Sequence, residues 1–301
     1  MPIVIHKDLP AYEKLKSENI FVMEKKRAVT QDIRPIEIAI VNLMPTKVET
    51  ETQLMRLLSN SSLQVNVTLI NTVSYKSKNI SENHMNKFYK SIKKAKEKHY
   101  DGLIITGAPV ENMPFEEVAY WKELKEIMAF AETHVTCTMH ICWGAQAGLF
   151  YHYGIDKAQL DKKLFGVFAS KIVQDDQLLR GVDDTFYIPH SRHTYIKSED
   201  IYACADLEVL AYSDEAGISI VKSSDNRKIF LFGHSEYDKC TLDKEYKRDL
   251  DKGLDIDPPC NYYMDDTYST VDVKWRSTAN LLFYNWLNYY VYQVTPYEFK
   301  D

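Results

Sequence analysis

The sequence predicts a doubly wound α/β fold around a mostly parallel sheet. Three observations carry this expectation: nearly continuous apolar runs of strand length, amphipathic stretches of helical length between them, and a 45% hydrophobic composition over 301 residues. Apolar runs without polar alternation belong to strands covered on both faces, and their alternation with helices implies crossover connections. The first strand is expected over residues 35–43, with the run IEIAIVNL. A helix follows, with Thr46 or Thr50 near its cap and Leu54, Leu57 and Leu58 on one face. VNVTLI, residues 65–70, reads as the second strand, and the lysine-rich residues 81–98 read as one solvated helix. YDGLIIT, residues 100–106, is the third strand and runs into Gly107. Residues 116–133 read as a helix and residues 135–141 as the fourth strand.

The rhythm changes past Tyr153. Residues 165–232 hold only short strand-like runs, at 218–221 and 229–232, separated by turn signals. A charged, loop-rich segment follows over residues 238–275, with a helix expected over 242–252 and closed by Gly253. The last helix, residues 277–291, places Leu281, Leu282, Trp286 and Leu287 on one side, a stripe read first as core and second as the surface of a homodimer. Residues 1–34 are mixed and highly charged and read as an N-terminal arm, which leaves residues 35–301 as one catalytic domain.

Composition narrows the function classes. Ten Gly and ten Pro exclude collagen-like or low-complexity character, and a net charge of −6 argues against nucleic acid as a partner. The N-terminus lacks the basic start and apolar stretch of a signal peptide, and the apolar runs stop short of a membrane span. The protein therefore reads as soluble and cytoplasmic. Five cysteines at irregular spacing read as reduced thiols.

One of those thiols has a distinctive setting. In HVTCTMHICWGAQAGLF an apolar strand ends at Ile141, Cys142 follows, and Trp143, Gly144 and Ala145 open a helical run. Strand, sharp turn and helix make up a nucleophile elbow. The free N–H groups at the start of that helix favour thiolate over thiol and offer donors to an oxyanion, Trp143 N–H among them. The competing reading is that Cys142 is one more small buried hydrophobe, the usual fate of a free cysteine. Cys137, in mid-strand, reads as core.

KIFLFGHSEYD supplies a candidate base. An apolar strand ends near Gly233, and His234 and Glu236 stand two apart, on one face if the segment is extended. A carboxylate there would hold the imidazole tautomer and stabilise the imidazolium. His190 and His193 stand three apart, yet nothing completes a metal-ligand set, so no metal is expected. No glycine-rich dinucleotide or phosphate loop is present.

The motifs VNLMPTKVETETQ, TGAPVE, HICWGAQA, KLFGVF, PHSRHT and GHSEYD, in this order along nearly the whole chain, resemble the homoserine O-acyltransferase family of methionine biosynthesis. Its members are homoserine transsuccinylases or transacetylases. The resemblance implies a class I glutamine-amidotransferase-like, flavodoxin-like α/β fold. It also implies that Cys142 carries the acyl group as a thioester, that His234 is the general base, and that Glu236 is its partner. Lys163, Ser191 and Arg248 match substrate-binding positions, with Arg248 as a clamp for the amino-acid carboxylate and residues 238–275 as a substrate-binding insertion. Glu111 matches the position where succinyl-CoA users resemble one another in having Gly. A carboxylate there would repel and crowd the second carboxylate of succinate. The expected reaction is acetyl transfer from acetyl-CoA to L-homoserine without a permanently bound cofactor, with succinyl-CoA as the alternative donor. Backbone N–H groups of Trp143 and of the Gly107–Ala108 turn would hold the oxyanion. Lys47, Lys163 and Arg248 are the local cations available to anionic substrates. The rival readings are a cysteine-dependent glutaminase or hydrolase on the same scaffold, and a small-molecule sensor in which Cys142 is inert.

Overall fold

The computed structural model describes residues 3–18, 20–29, 34–72, 74 and 80–296. Among these residues twelve strands form one sheet. In chain order they are β1 (Ile3–Val4), β2 (Val22–Met23), β3 (Ile36–Val41), β4 (Val65–Asn71), β5 (Tyr89–Ser91), β6 (Tyr100–Ile105), β7 (Val135–Ile141), β8 (Lys157–Ile172), β9 (Thr185–Ile196), β10 (Leu207–Ser213), β11 (Gly217–Ser223) and β12 (Lys228–Leu231). Their spatial order is β2-β1-β4-β3-β6-β7-β12-β11-β10-β8-β9, with β5 added beside β4. Every pairing from β2 to β12 is parallel, and β12-β11-β10-β8-β9 continues antiparallel. The helices are α1 (Pro10–Ser17), α2 (Lys25–Ala28), α3 (Lys47–Ser59), α4 (Glu82–Phe88), α5 (Ile92–Ala95), α6 (Trp121–His134), α7 (Trp143–Tyr153), α8 (Ser198–Tyr202), α9 (Thr241–Asp251) and α10 (Arg276–Asn285).

The apolar runs are continuous because both faces of the parallel sheet are covered. Ile38, Ile40, Ile104 and Met139 pack with Leu54 and Leu58 of α3 and Leu282 of α10. Their neighbours Ala39, Val41, Leu103 and Ile105 face the other way, onto Leu124 and Ile127 of α6 and Ala147 of α7. Burying each such Ile or Leu is worth about 1.5–3 kcal/mol. A Cβ at Gly102 would lie 2.8 Å from both Ile38 Cδ1 and the Trp286 ring, so this strand position must be bare for the C-terminal segment to pack.

Three expectations changed. Residues 81–98 break into α4, β5 and α5, because Tyr89 turns inward and places its hydroxyl 2.5 Å from the buried Glu51 carboxylate. The strand pairing of Tyr89 with Leu69 then takes precedence over a longer helix. The short runs expected at 218–221 and 229–232 are strands β11 and β12, whereas the long hairpin β8–β9 before them was not expected, because its outer half is polar and exposed and has no apolar period to detect. The last helix changes at Trp286 into a π-helical turn, Trp286–Tyr292, and Leu282, Trp286 and Leu287 of its stripe are buried in this chain's own core. Among the described residues, no helix is long and apolar enough to cross a membrane.

Candidate active site

Strands β3, β6, β7 and β12 lie side by side, so the segments leaving their carboxyl ends meet at one edge of the sheet. These segments carry Met44, Gly107, Cys142 and His234. A Cβ placed on Gly107 would lie 3.1 Å from His234 Cε1, 3.4 Å from Cys142 Cβ and 3.5 Å from Met44 Sδ. The other three residues therefore close around Gly107.

Cys142 occupies a backbone conformation that residues with a side chain rarely adopt, with φ 51° and ψ −115°. Its N–H donates to Leu231 O at 2.7 Å, and its carbonyl accepts the Ala145 and Gln146 N–H groups that start α7. Gly144 is required by the close approach of this helix to β6, since a Cβ there would lie 2.7 Å from the carbonyls of Ile105 and Thr106. Trp143 is the first residue of α7, so its N–H has no partner within the helix, and the Gly107–Ala108 turn lies across from the thiol.

His234 follows β12 through Gly233, where a Cβ would lie 2.3 Å from Ile188 Cγ2, so only glycine lets the chain pass this close to β9. His234 N–H donates to Pro189 O at 2.7 Å. Glu236 is not on an extended segment as the spacing suggested. Tyr237 N–H donates to His234 O, and the resulting turn folds Glu236 back. Its Oε1 accepts the His234 Nδ1 proton at 2.7 Å with both side chains buried, while among the described residues its Oε2 has no hydrogen-bond partner. The imidazole also stands beside Cys142, since His234 Cε1 and Cys142 Cβ both lie against Gly107. Burial alone would push His234 down. The negative charges of Cys142 and Glu236 outweigh that and hold it well above its ordinary range.

Lys163, Ser191 and Arg248 gather along one face of α9. Ser191 Oγ donates to Glu245 Oε2 at 2.6 Å, and the other oxygen of that carboxylate accepts Tyr237 OH at 2.8 Å. Lys163 Nζ lies 3.1 Å from Asp249 Oδ2 and 4.0 Å from the Phe165 ring centroid. Arg248 Nε donates to Asp249 Oδ1 at 2.8 Å, leaving its side chain half exposed. Burial raises the Asp249 carboxyl, and the bonds from Arg248 and Lys163 more than reverse this. Glu245, Arg248 and Asp249 stand at i, i+3 and i+4, so they share a helix face. Tyr237, Glu245 and Asp249 went unnoticed in the sequence, although that spacing on a charged helix was a usable signal.

Lys47 is buried apart from this cluster. Its ammonium donates to the Asn42 carbonyl, and burial pushes its pKa down to about 8 against the opposing charge of Glu51. Glu111, in the loop after β6, accepts the His193 N–H at 2.8 Å through Oε2. Beside it Arg192 is buried, donating to the carbonyls of Thr194 and Ala216 at 2.7 Å each.

A cysteine on a strained strand-to-helix turn, beside a histidine that a carboxylate orients, is an arrangement for nucleophilic acyl transfer. The profile of the homoserine O-succinyltransferase family matches residues 2–297. The chain belongs to this family. Proteins named homoserine O-acetyltransferase from Geobacillus kaustophilus and Clostridium novyi are 57% and 56% identical to this member, covering all of both chains. One of the same name from Lachnoclostridium phytofermentans is 56% identical over 99% of this chain and all of its own. Among solved structures, a glutamine amidotransferase from Thermotoga maritima superposes with a TM-score of 0.58 at 12% identity, covering 86% of this chain and 99% of its own. Another from Methylobacillus flagellatus gives 0.52 at 11%, covering 85% and 95%. The acyltransferase thus has the class I glutamine-amidotransferase fold that the motif resemblance implied.

Proposed function

We propose that this homoserine O-acyltransferase takes its acyl group from acetyl-CoA, holds it on Cys142 and passes it to L-homoserine. The observation that carries the reading is the line of Cys142 on the strained elbow, His234 beside it and Glu236 hydrogen-bonded to His234. In the first half-reaction the Cys142 thiolate attacks the thioester carbonyl. The new C–S bond to Cys142 forms and the C–S bond to CoA breaks, and the departing CoA thiolate takes the proton of the His234 imidazolium. In the second half, neutral His234 accepts the proton of the homoserine hydroxyl as that oxygen bonds to the acyl carbon. Cys142 leaves as thiolate and the imidazolium is restored. Glu236 stabilises the imidazolium whenever it forms. Trp143 N–H and the Gly107–Ala108 backbone would receive the oxyanion, a type of contact worth about 10²–10³ in rate.

The α9 cluster fits the amino acid. The half-exposed Arg248 guanidinium suits its carboxylate as a bidentate partner, with Lys163 and Ser191 beside it. Lys47, buried with its ammonium on the Asn42 carbonyl, stands apart from these residues. The Glu111 carboxylate supports acetyl over succinyl, and so do the names of the relatives. O-acetyl-L-homoserine would feed methionine biosynthesis.

Mixing with acetyl-CoA in the absence of homoserine is expected to add one acetyl group to the peptide containing Cys142, seen by mass spectrometry. A folded Cys142→Ala variant that still transfers acetyl would refute the thioester. Comparing acetyl-CoA with succinyl-CoA on homoserine tests the donor. Release of CoA at the same rate with and without homoserine would instead mark a hydrolase.

A further inference from the structure

We propose that Gln53 and Arg56, one turn apart on α3, are positioning residues for acyl transfer: they hold the segment that carries Glu236, and through Glu18 they tie the N-terminal arm into the same support. The proposal rests on the reading of Glu236 as the carboxylate that stabilises the His234 imidazolium.

The first support is where α3 meets this segment. Gln53 and Arg56 stand at i and i+3, so they share a helix face. Gln53 Nε2 donates to Thr241 Oγ1 at 3.0 Å, with both side chains buried. That hydroxyl also accepts the Asp238 N–H at 3.1 Å, and Thr241 N–H donates back to Asp238 O at 3.1 Å. Residues 238–241 are thus closed on themselves and anchored to α3 at one end. Arg56 Nη1 anchors the other end, donating to Asp238 Oδ1 at 2.5 Å. Asp238 is two residues past Glu236, and the carbonyl of the intervening Tyr237 accepts Trp275 Nε1–H at 2.8 Å.

The second support is the geometry of Arg56. Its Nε and Nη2 donate to Glu18 Oε2 and Oε1 at 2.5 and 2.8 Å, while Nη1 is on Asp238. Exposed ion pairs usually contribute little, but a bidentate arginine shared with a second carboxylate fixes the geometry of all three groups. Glu18 follows the last residue of α1, so the fork joins the N-terminal arm to the catalytic segment. Burial raises the Asp238 carboxyl, Arg56 opposes this, and the Glu18 charge pushes it further up. Without Arg56 the two carboxylates would face each other as like charges and push the segment away.

The third support is that close packing does not cover this side. Ser235, Glu236 and Tyr237 border a cavity of about 460 Å³, whose other walls include Leu57 of α3 and Ala279 of α10. Directed bonds to α3 therefore do what packed side chains do elsewhere in the core. The bond they protect is short, 2.7 Å from His234 Nδ1 to Glu236 Oε1, and a few tenths of an ångström would weaken it.

Arg56→Met should lower kcat about tenfold or more and leave KM for acetyl-CoA and homoserine within about threefold. Stopped-flow CoA release should show the alkaline limb of acyl-enzyme formation moved to lower pH, because a displaced Glu236 stabilises the imidazolium less. Direct loss of the Arg56 charge would move the limb to higher pH, since removing a cation favours the imidazolium, so the sign separates the two causes. In the Glu236→Gln background, adding Arg56→Met should change kcat by less than about threefold, because residues acting through one group are not additive. A limb that stays or moves up overturns the positioning role, as does an equal loss of kcat in both backgrounds. Glu18→Ala should move the limb in the same direction as Arg56→Met, and an unmoved limb there overturns the part assigned to the arm. If Arg56→Met fails to fold by circular dichroism, Gln53→Met, similar in volume, gives the same readings against the same outcomes. The reading of Glu236 fails separately, if Glu236→Gln alone leaves both kcat and the limb unchanged.

Discussion

The imidazole of His234 lies flat against the ring of Tyr237, with centroids 4.1 Å apart and planes 17° from parallel. Because the Tyr237 hydroxyl donates to Glu245 at 2.8 Å, this stack connects the candidate base to the polar face of α9. Tyr237→Phe keeps the ring and removes the bond, so KM for homoserine should rise several-fold with kcat changed less. Tyr237→Ala also removes the support under the imidazole, and kcat should fall by 10-fold or more. Steady-state kinetics on both variants separates the two roles, and equal effects on kcat would speak against the stack.

Glu236 sets the proton affinity of His234. Burial opposes the imidazolium, and the Cys142 and Glu236 charges raise it above the ordinary value near 6.5. Removing the carboxylate removes a stabiliser of the charged form, so the folded-state value must drop. In Glu236→Gln the alkaline limb of acyl-enzyme formation, where the imidazolium is lost, should move to lower pH. The rate at pH 7 should drop by about 10²–10⁴. Stopped-flow CoA release against pH measures both, and an unmoved limb would count against the pairing.

Gly107 has no room for a side chain. An added methyl would stand 3.1 Å from His234 Cε1 and 3.4 Å from Cys142 Cβ, tighter than ordinary contact on the imidazole side. Gly107→Ala should therefore push the two apart by a few tenths of an ångström and lower kcat by about 10–100-fold. The melting temperature should change little, because no helix or strand position is altered. Wild-type turnover in this variant would show that the contact is not needed.

Lys47 should weaken the fold that carries it. Its pKa is about 8 in the folded protein and near 10.4 in an unfolded chain, a gap of roughly two units or about 3 kcal/mol. The unfolded chain binds more protons between those values, so stability from this group rises with pH across that window and is lowest below pH 8. Lys47→Met should raise unfolding free energy at pH 7 by on the order of 2 kcal/mol, less near pH 10, while lowering acyl transfer. Urea unfolding at the two pH values decides it, and a lower midpoint at pH 7 would contradict the burial cost.

Local sequence by itself determined the alternating elements of the parallel sheet, because Ile38 and Ile40 on one face and Ala39 and Val41 on the other make an apolar run that only a doubly covered strand tolerates. It also marked Cys142, since Gly144 and Ala145 allow the tight turn, and it marked the His234–Glu236 pair, two residues apart. Only the tertiary structure decided what surrounds them. Ser191 meets Glu245 across 54 positions, Lys163 meets Asp249 across 86, and Glu111 meets the His193 N–H across 82. Local periodicity cannot see such contacts, because they depend on which strand lies beside which. The same reason broke the expected helix at Tyr89, where burial of one hydroxyl against Glu51 and pairing with β4 outweighed a helical pattern.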